Sequence, residues 1–150
     1  MTCGTGDFDN GNSQSEAFVK LGSVNNPEGA VAAVGLSTTG THTAYNNILD
    51  MGIYDGIFSK KLWYAGAAEA NGDLAILATY PSNPSGATEA FIAWSNLIGD
   101  PALHLWTGVP TNIVVDYLDS ISLGTNSIDI IVYNEHGFPL EGARVTLLMG

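Results

Sequence analysis

AVAAVGL, Ala30 to Leu36, is the stretch on which the fold turns. It is apolar throughout and short, the pattern of a strand covered on both faces, so it is expected to lie in a parallel sheet. Beyond it the loop STTGTHT leads into a segment where Tyr45, Leu49, Ile53 and Ile57 recur every four residues with Ile48 beside them. That period predicts a long helix despite Gly52 and Gly56, whose presence implies tight packing or a kink. The alanine-rich segment Leu62 to Tyr80 reads as helical with an interruption near Asn71 and Gly72, and PSNPSG then breaks the chain. Ala90, Phe91, Trp94, Leu97 and Ile98 fall on one helical stripe, stopped by Gly99-Asp-Pro101 ahead of a strand at Ala102 to Trp106. Strands alternating with helices in this way predict an α/β sandwich.

On the other side of AVAAVGL, Ser13 and Glu16 have the spacing of a helix capping box. A short helix follows, with Ala17, Phe18 and Leu21 on one face, ended by Gly22 and the Asn25-Asn-Pro27 turn. After Pro110 the pattern changes to short β-prone runs, TNIVVD, SIDIIVYN and ARVTLLM, separated by turns. This part reads as the beginning of an antiparallel β-sandwich, with a boundary that divides the chain into residues 1–108 and 109–150.

The bulk properties narrow the partners. Fifteen acidic residues against four basic ones give a net charge of −11, which repels a phosphate backbone or an anionic membrane surface. Nucleic acid is therefore not an expected partner. A hydrophobic content of 45 % is that of a chain with a packed core. No segment has the roughly 18 to 20 consecutive apolar residues of a membrane span. The abrupt β-rich end at Gly150 and the opening close to a glycine loop lead us to expect a piece of a longer protein.

The first eight residues, MTCGTGDF, hold the only cysteine of the chain. Cys3 is followed by Gly4 and Gly6, so a strand entering this loop would present the thiol on a turn with little steric cover. The alternative is a small buried hydrophobe, the commoner fate of a lone cysteine. One cysteine excludes an internal disulfide and a cage of several thiolates. Asp7, Asp9, Asn10 and Asn12 cluster as a structural calcium loop does, but Gly falls at the fifth place and no Glu closes the loop, so solvated carboxylates are the default.

Six strings, in order, resemble the C-terminal half of the catalytic domain of the gingipain-like cysteine peptidases: TCGTGDF, SEAFVKLG, GAVAAVGLSTTGT, MGIYDGIF, AGAAEANGDLAILATYPSNP and NLIGDPALHLWT. The likeness runs from Met1 to about Thr107, and Pro110 to Met149 resembles the first strands of the immunoglobulin-like module that follows in that family. It implies a caspase-like three-layer α/β/α sandwich with a partial, mostly parallel sheet, then a truncated all-β immunoglobulin-like sandwich.

The resemblance also implies a catalytic Cys/His dyad. Cys3 matches the nucleophile, its backbone N–H helps hold the oxyanion, Gly4 admits the substrate backbone, and Asp7 fixes the loop through hydrogen bonds to backbone N–H groups. In that family the histidine precedes the cysteine, so it would lie upstream of Met1, and these 150 residues alone are expected to be inactive. Met1 itself matches an apolar strand residue. Thr41 and His42 match the loop that forms part of the substrate wall; a polar residue beside a helix start, with Thr41 or Thr43 as cap, is the alternative for His42. The gingipains proper tend to carry tryptophan in this loop, and its absence here departs from the pattern that goes with basic-residue specificity.

Two further histidines are read from their context. His136-Gly137 follows an apolar run, as the catalytic histidine of the family does, but it lies in the wrong domain and the wrong order, and reads as a surface turn residue. His104, alternating with apolar neighbours, reads as a structural strand residue. The expected function is thus that of a secreted or bacterial cell-surface cysteine endopeptidase acting on protein or peptide substrate, completed by the upstream half-domain of its own polypeptide. A non-catalytic adhesion or anchoring module that keeps the same fold is the alternative.

Overall fold

A computed structural model describes residues 3–9 and 11–148. Two compact units divide the chain, Met1–Thr107 and Gly108–Gly150. Met1 and Asn10, singled out in the sequence, lie outside the described residues. Among the described residues no helix is long and apolar enough to cross a membrane.

The first unit is built around a two-stranded sheet. Strand β3 (Ala33–Leu36) follows helix α1 (Gln14–Lys20) and a small exposed hairpin of β1 (Gly22–Ser23) and β2 (Asn26–Pro27). Helices α2 (Thr43–Phe58), α3 (Ala65–Thr79) and α4 (Ala87–Trp94) come next, and strand β4 (Ser95–Ile98) returns to the sheet. Because side chains alternate along a strand, β3 presents opposite neighbours to opposite layers. Leu36 is fully buried in a core with Tyr45, Leu49, Ile76 and Phe91 from α2, α3 and α4. Gly35 faces the other way, toward Ser15 of α1 and Gly6 of the cysteine loop. Helix, sheet and helix thus form a partial three-layer α/β/α arrangement.

The sheet differs from expectation in direction. Strands β3 and β4 are antiparallel, with Ala33 opposite Ile98 and Leu36 opposite Ser95, where a parallel sheet was expected. A parallel partner must be brought back to the same end of the sheet by a crossover. Here α4 passes into β4 without an intervening residue, because Ser95 already has extended backbone (φ −70°, ψ 122°). The helix expected to continue through Leu97 and Ile98 therefore stops at Trp94, where pairing with β3 outweighs the helical stripe. Among the described residues 102–106 form no strand; His104 makes one isolated bridge to Tyr64.

Helices α2 and α3 are both unbroken, so the glycines mark close packing and no kink. A Cβ on Gly52 would lie 2.6 Å from that of Ala75, and one on Gly72 would lie 2.8 Å from the Leu49 carbonyl oxygen. Buried Asn71 fastens the crossing by donating to the Gly52 carbonyl at 2.6 Å while its own carbonyl accepts from Lys60 at 2.9 Å. The expected interruption near Asn71 is in fact the contact point of two continuous helices.

The capping box forms: Ser13 Oγ accepts from the Glu16 N–H at 3.2 Å, and Glu16 Oε2 accepts from the Ser13 N–H at 2.8 Å. The buried residues of this region are Ser13 and Ser15, whereas Phe18 and Leu21 are half exposed, so the expected apolar face of α1 is not the packed one. A Cβ on Gly35 would lie 2.6 Å from Ser15 Oγ, so the glycine lets Ser15 pack closely against β3.

In the second unit β5 (Ile113–Asp116) pairs antiparallel with β6 (Ile131–Asn134). Residues 143–148, the described part of ARVTLLM, form no strand.

Candidate active site

Cys3 opens a tight turn spanning residues 3–6 and is exposed, with its thiol free. Gly4 holds a positive φ of 68°, which a residue with a side chain adopts only with strain. Two backbone bonds dock this turn to the end of β3: the Gly4 N–H donates to Thr38 O at 2.7 Å and the Gly6 N–H to Leu36 O at 3.0 Å. Glycine at 6 and 35 makes the docking possible, because a Cβ on either would come within 2.6 Å of the backbone of the other. On the opposite side the Ser15 N–H donates to Thr5 O at 2.9 Å. The loop is therefore held by its backbone between β3 and α1.

This docking brings Cys3 to the loop that precedes α2. The Thr41 side chain is the group that acts most strongly on the Cys3 sulfur, and the backbone of Thr41, Cys3 and Gly40 adds to it. Together they hold the thiol below its ordinary pKa, with the Thr41 hydroxyl the largest influence, against a weaker opposing effect of desolvation. Hydrogen bonds of this kind favour the charged form, and the positive end of a 16-residue helix acts in the same sense. The arrangement favours a solvent-accessible thiolate, the form of cysteine that attacks electrophilic carbon.

His42 is the N-cap of α2: its Nδ1 accepts from the Ala44 N–H at 3.2 Å, and its ring meets Tyr45 edge-on at 6.2 Å. The cap is His42 itself and neither Thr41 nor Thr43. A Nδ1 used as acceptor places the proton of the neutral ring on Nε2. Asp7 is half-buried in the cysteine turn, where its N–H approaches Gly4 O at 3.5 Å. Cys3, Gly4 and Thr41 are thus brought together, with His42 beside them in sequence at the head of α2.

One contributor was not legible in the sequence. Asn46, 6 % exposed, donates from Nδ2 to Thr41 Oγ1 at 3.0 Å. An amide in the first turn of a helix, five residues after a loop threonine, is the only signal that pointed to it.

The remaining candidates have other surroundings. Among the described residues no three His, Cys, Asp or Glu side chains converge as metal ligands, and Asn12 Oδ1 is taken by Lys20 Nζ at 3.0 Å. His136 belongs to the second unit, in an exposed turn where Asn134 Oδ1 accepts from the N–H groups of His136 and Phe138 at 2.9 and 3.0 Å. His104 is exposed and packs edge-on against Tyr64 at 5.4 Å.

The model of peptidase family C25 matches residues 1–106. The fold is similar to the crystal structure of gingipain R, an Arg-specific cysteine proteinase, with a TM-score of 0.71 and 21 % sequence identity. That similarity covers 87 % of this chain and 30 % of the gingipain R chain, so the chain spans under a third of the solved protein's length. It carries the caspase-like fold. No curated protein matches the chain.

Proposed function

The chain belongs to peptidase family C25, and on that premise we propose that Cys3 is the nucleophile of a secreted cysteine endopeptidase that works as a Cys/His dyad. The observation that supports this most is the exposed Cys3 sulfur under the Thr41 hydroxyl, in surroundings that favour the thiolate. In the proposed reaction the thiolate attacks the carbonyl carbon of a peptide bond. The Cys3 N–H stabilises the resulting oxyanion. As the tetrahedral intermediate collapses, the amine leaves with a proton from a histidine outside these 150 residues, and water then hydrolyses the thioester.

Gly4 keeps the approach to the sulfur open, and Asp7 steadies the turn. Thr41 and His42 line the side of the substrate nearest α2. Gingipain R is Arg-specific; with His42 and no tryptophan in this loop, the present chain is proposed to accept a different side chain at the cleavage site. The rest of the polypeptide supplies the base, so these residues alone do not turn over substrate.

The test is peptide cleavage by the longer polypeptide with and without Cys3→Ala. Loss of cleavage together with stoichiometric labelling of Cys3 by a thiol-directed inhibitor supports the reading. Cleavage that survives the substitution overturns it, and a longer polypeptide that never cleaves any peptide favours the anchoring alternative.

A further inference from the structure

We propose that Asn46 is a positioning residue for Cys3: its buried amide holds Thr41 Oγ1 from behind, so that the hydroxyl hydrogen points at the Cys3 sulfur. The inference rests on the nucleophile reading above and assigns the group that directs it. A hydroxyl carries one hydrogen and accepts through its lone pairs. When Asn46 Nδ2 donates to Thr41 Oγ1 at 3.0 Å, it occupies an acceptor direction and leaves the hydrogen for the sulfur. Rotated by half a turn, the amide would present its carbonyl to the same hydroxyl and draw the hydrogen away from Cys3.

Asn46 is 6 % exposed, so its amide sits in packed surroundings. Its Oδ1 is buried without a hydrogen-bond partner among the described residues, an arrangement that is unfavourable and rare in packed proteins. Asn46 is carried on the first turn of α2, beside Tyr45 and ahead of the core residue Leu49, so its side chain is fixed by a helix that packs into the core. Its position one turn inside the helix also sets the distance to the loop, since the Asn46 N–H donates to His42 O at 3.1 Å. Asn46 thereby holds Thr41 by its side chain and the neighbouring His42 by its backbone. The titratable residues on the two facing segments are Asp7 and Asp9 on the cysteine loop and His42 beside Thr41.

Because Cys3 is the only cysteine, its alkylation reports on this arrangement without any peptidase activity. The pH midpoint of the iodoacetamide reaction is measured for the present chain, for Asn46→Ala, for Thr41→Val and for the double variant, each first shown to unfold cooperatively. Thr41→Val is expected to raise the midpoint by about one pH unit, the size of one hydrogen bond to a charged group. Asn46→Ala is expected to raise it in the same direction, and the double variant no further than Thr41→Val alone.

Additive shifts, or a midpoint unchanged or lowered in Asn46→Ala, overturn the positioning role. Should Asn46→Ala not fold, Asn46→Asp takes its place, measured once with Thr41 intact and once combined with Thr41→Val. Its charge acts in both, so a larger rise with Thr41 present isolates the diverted hydroxyl, and equal rises overturn the proposal. A coupled shift in a longer polypeptide that lacks peptidase activity would retain Asn46 as the organiser of the thiol while removing the peptidase reading.

Discussion

Gly6 and Gly35 face each other across the gap between the cysteine turn and β3, with no room for a methyl group on either. An ideal Cβ on Gly6 would lie 2.6 Å from the carbonyl of Gly35, and one on Gly35 would lie 2.6 Å from the N–H nitrogen of Gly6 and from Ser15 Oγ. Through this contact the sheet fixes the height of the turn that carries Cys3, and thereby the reach of the sulfur toward Thr41.

Gly6→Ala and Gly35→Ala should each destabilise the first unit by roughly 1–3 kcal/mol, because the obstructing atoms are backbone and cannot swing aside. Urea unfolding measures the loss. The folded fraction should also show a raised alkylation midpoint for Cys3, since a lifted turn separates the sulfur from Thr41. A neutral effect of either substitution on stability would show that the two segments are not packed in this way.

Gly72→Ala sets helix propensity against packing. In an exposed helix the change gains about 1 kcal/mol. Here the new methyl would meet Leu49 O at 2.8 Å and Ile53 Cγ1 at 2.8 Å, so a net destabilisation of about 1–2 kcal/mol is expected. A thermal melt that rises would contradict the close crossing of α2 and α3.

Asp73 gives the fold a pH dependence. Desolvation, with a smaller contribution from the neighbouring Glu69 carboxylate, pushes its carboxyl up to about 7, and its Oδ1 is buried without a partner among the described residues. The folded chain retains between about pH 4 and 7 a proton that the unfolded chain has released, so stability falls as pH rises through that window. Asp73→Asn stays neutral throughout. Its advantage over the parent should be small at about pH 4 and grow to about 2 kcal/mol at about pH 8, a value reduced for the half-exposed setting. Equal differences at the two pH values would exclude the elevated carboxyl.

Ser13→Ala removes the cap of α1 and should lower stability by about 1 kcal/mol. Hydrogen exchange locates the effect: faster exchange at the Glu16 N–H, which loses its acceptor, is expected, and protection unchanged from the parent would show that the cap does not hold the helix start.

His136→Ala should leave the alkylation profile of Cys3 as it is. Its ring nitrogen Nε2 lies 3.7 Å from Glu135 in an exposed turn, a setting that links it to its own hairpin. A displaced midpoint would reveal an influence on the thiol that the turn geometry does not provide.

The legible parts of this fold were those fixed by local pattern. The apolar repeat from Tyr45 to Ile57 declared α2, Ser13 and Glu16 declared the start of α1, and the glycines around Cys3 declared an exposed thiol. What escaped depends on groups distant in sequence. The direction of β4 follows from the extended backbone at Ser95, which a helical stripe through Leu97 and Ile98 conceals. Asn71 reads as a helix breaker until Gly52 O is found beside it, and Asn46 reads as an ordinary first-turn amide until Thr41 is seen between it and Cys3. A polar side chain inside a helix gains its meaning from the partner it reaches, and single-chain periodicity does not name that partner.

The backbone bonds from Gly4 to Thr38 and from Gly6 to Leu36 tie together the two ends of a long excursion of the chain. Within that excursion the hairpin of β1 and β2 is exposed along its whole length, and Val24 at its tip is 99 % exposed. Lengthening a loop whose ends are already fastened adds little, about 0.6 kcal/mol for each doubling. The tip at Val24 and Asn25 is therefore a graft point: an epitope, a tag or a whole inserted module could be spliced there, and the thiol would keep its address beneath Thr41.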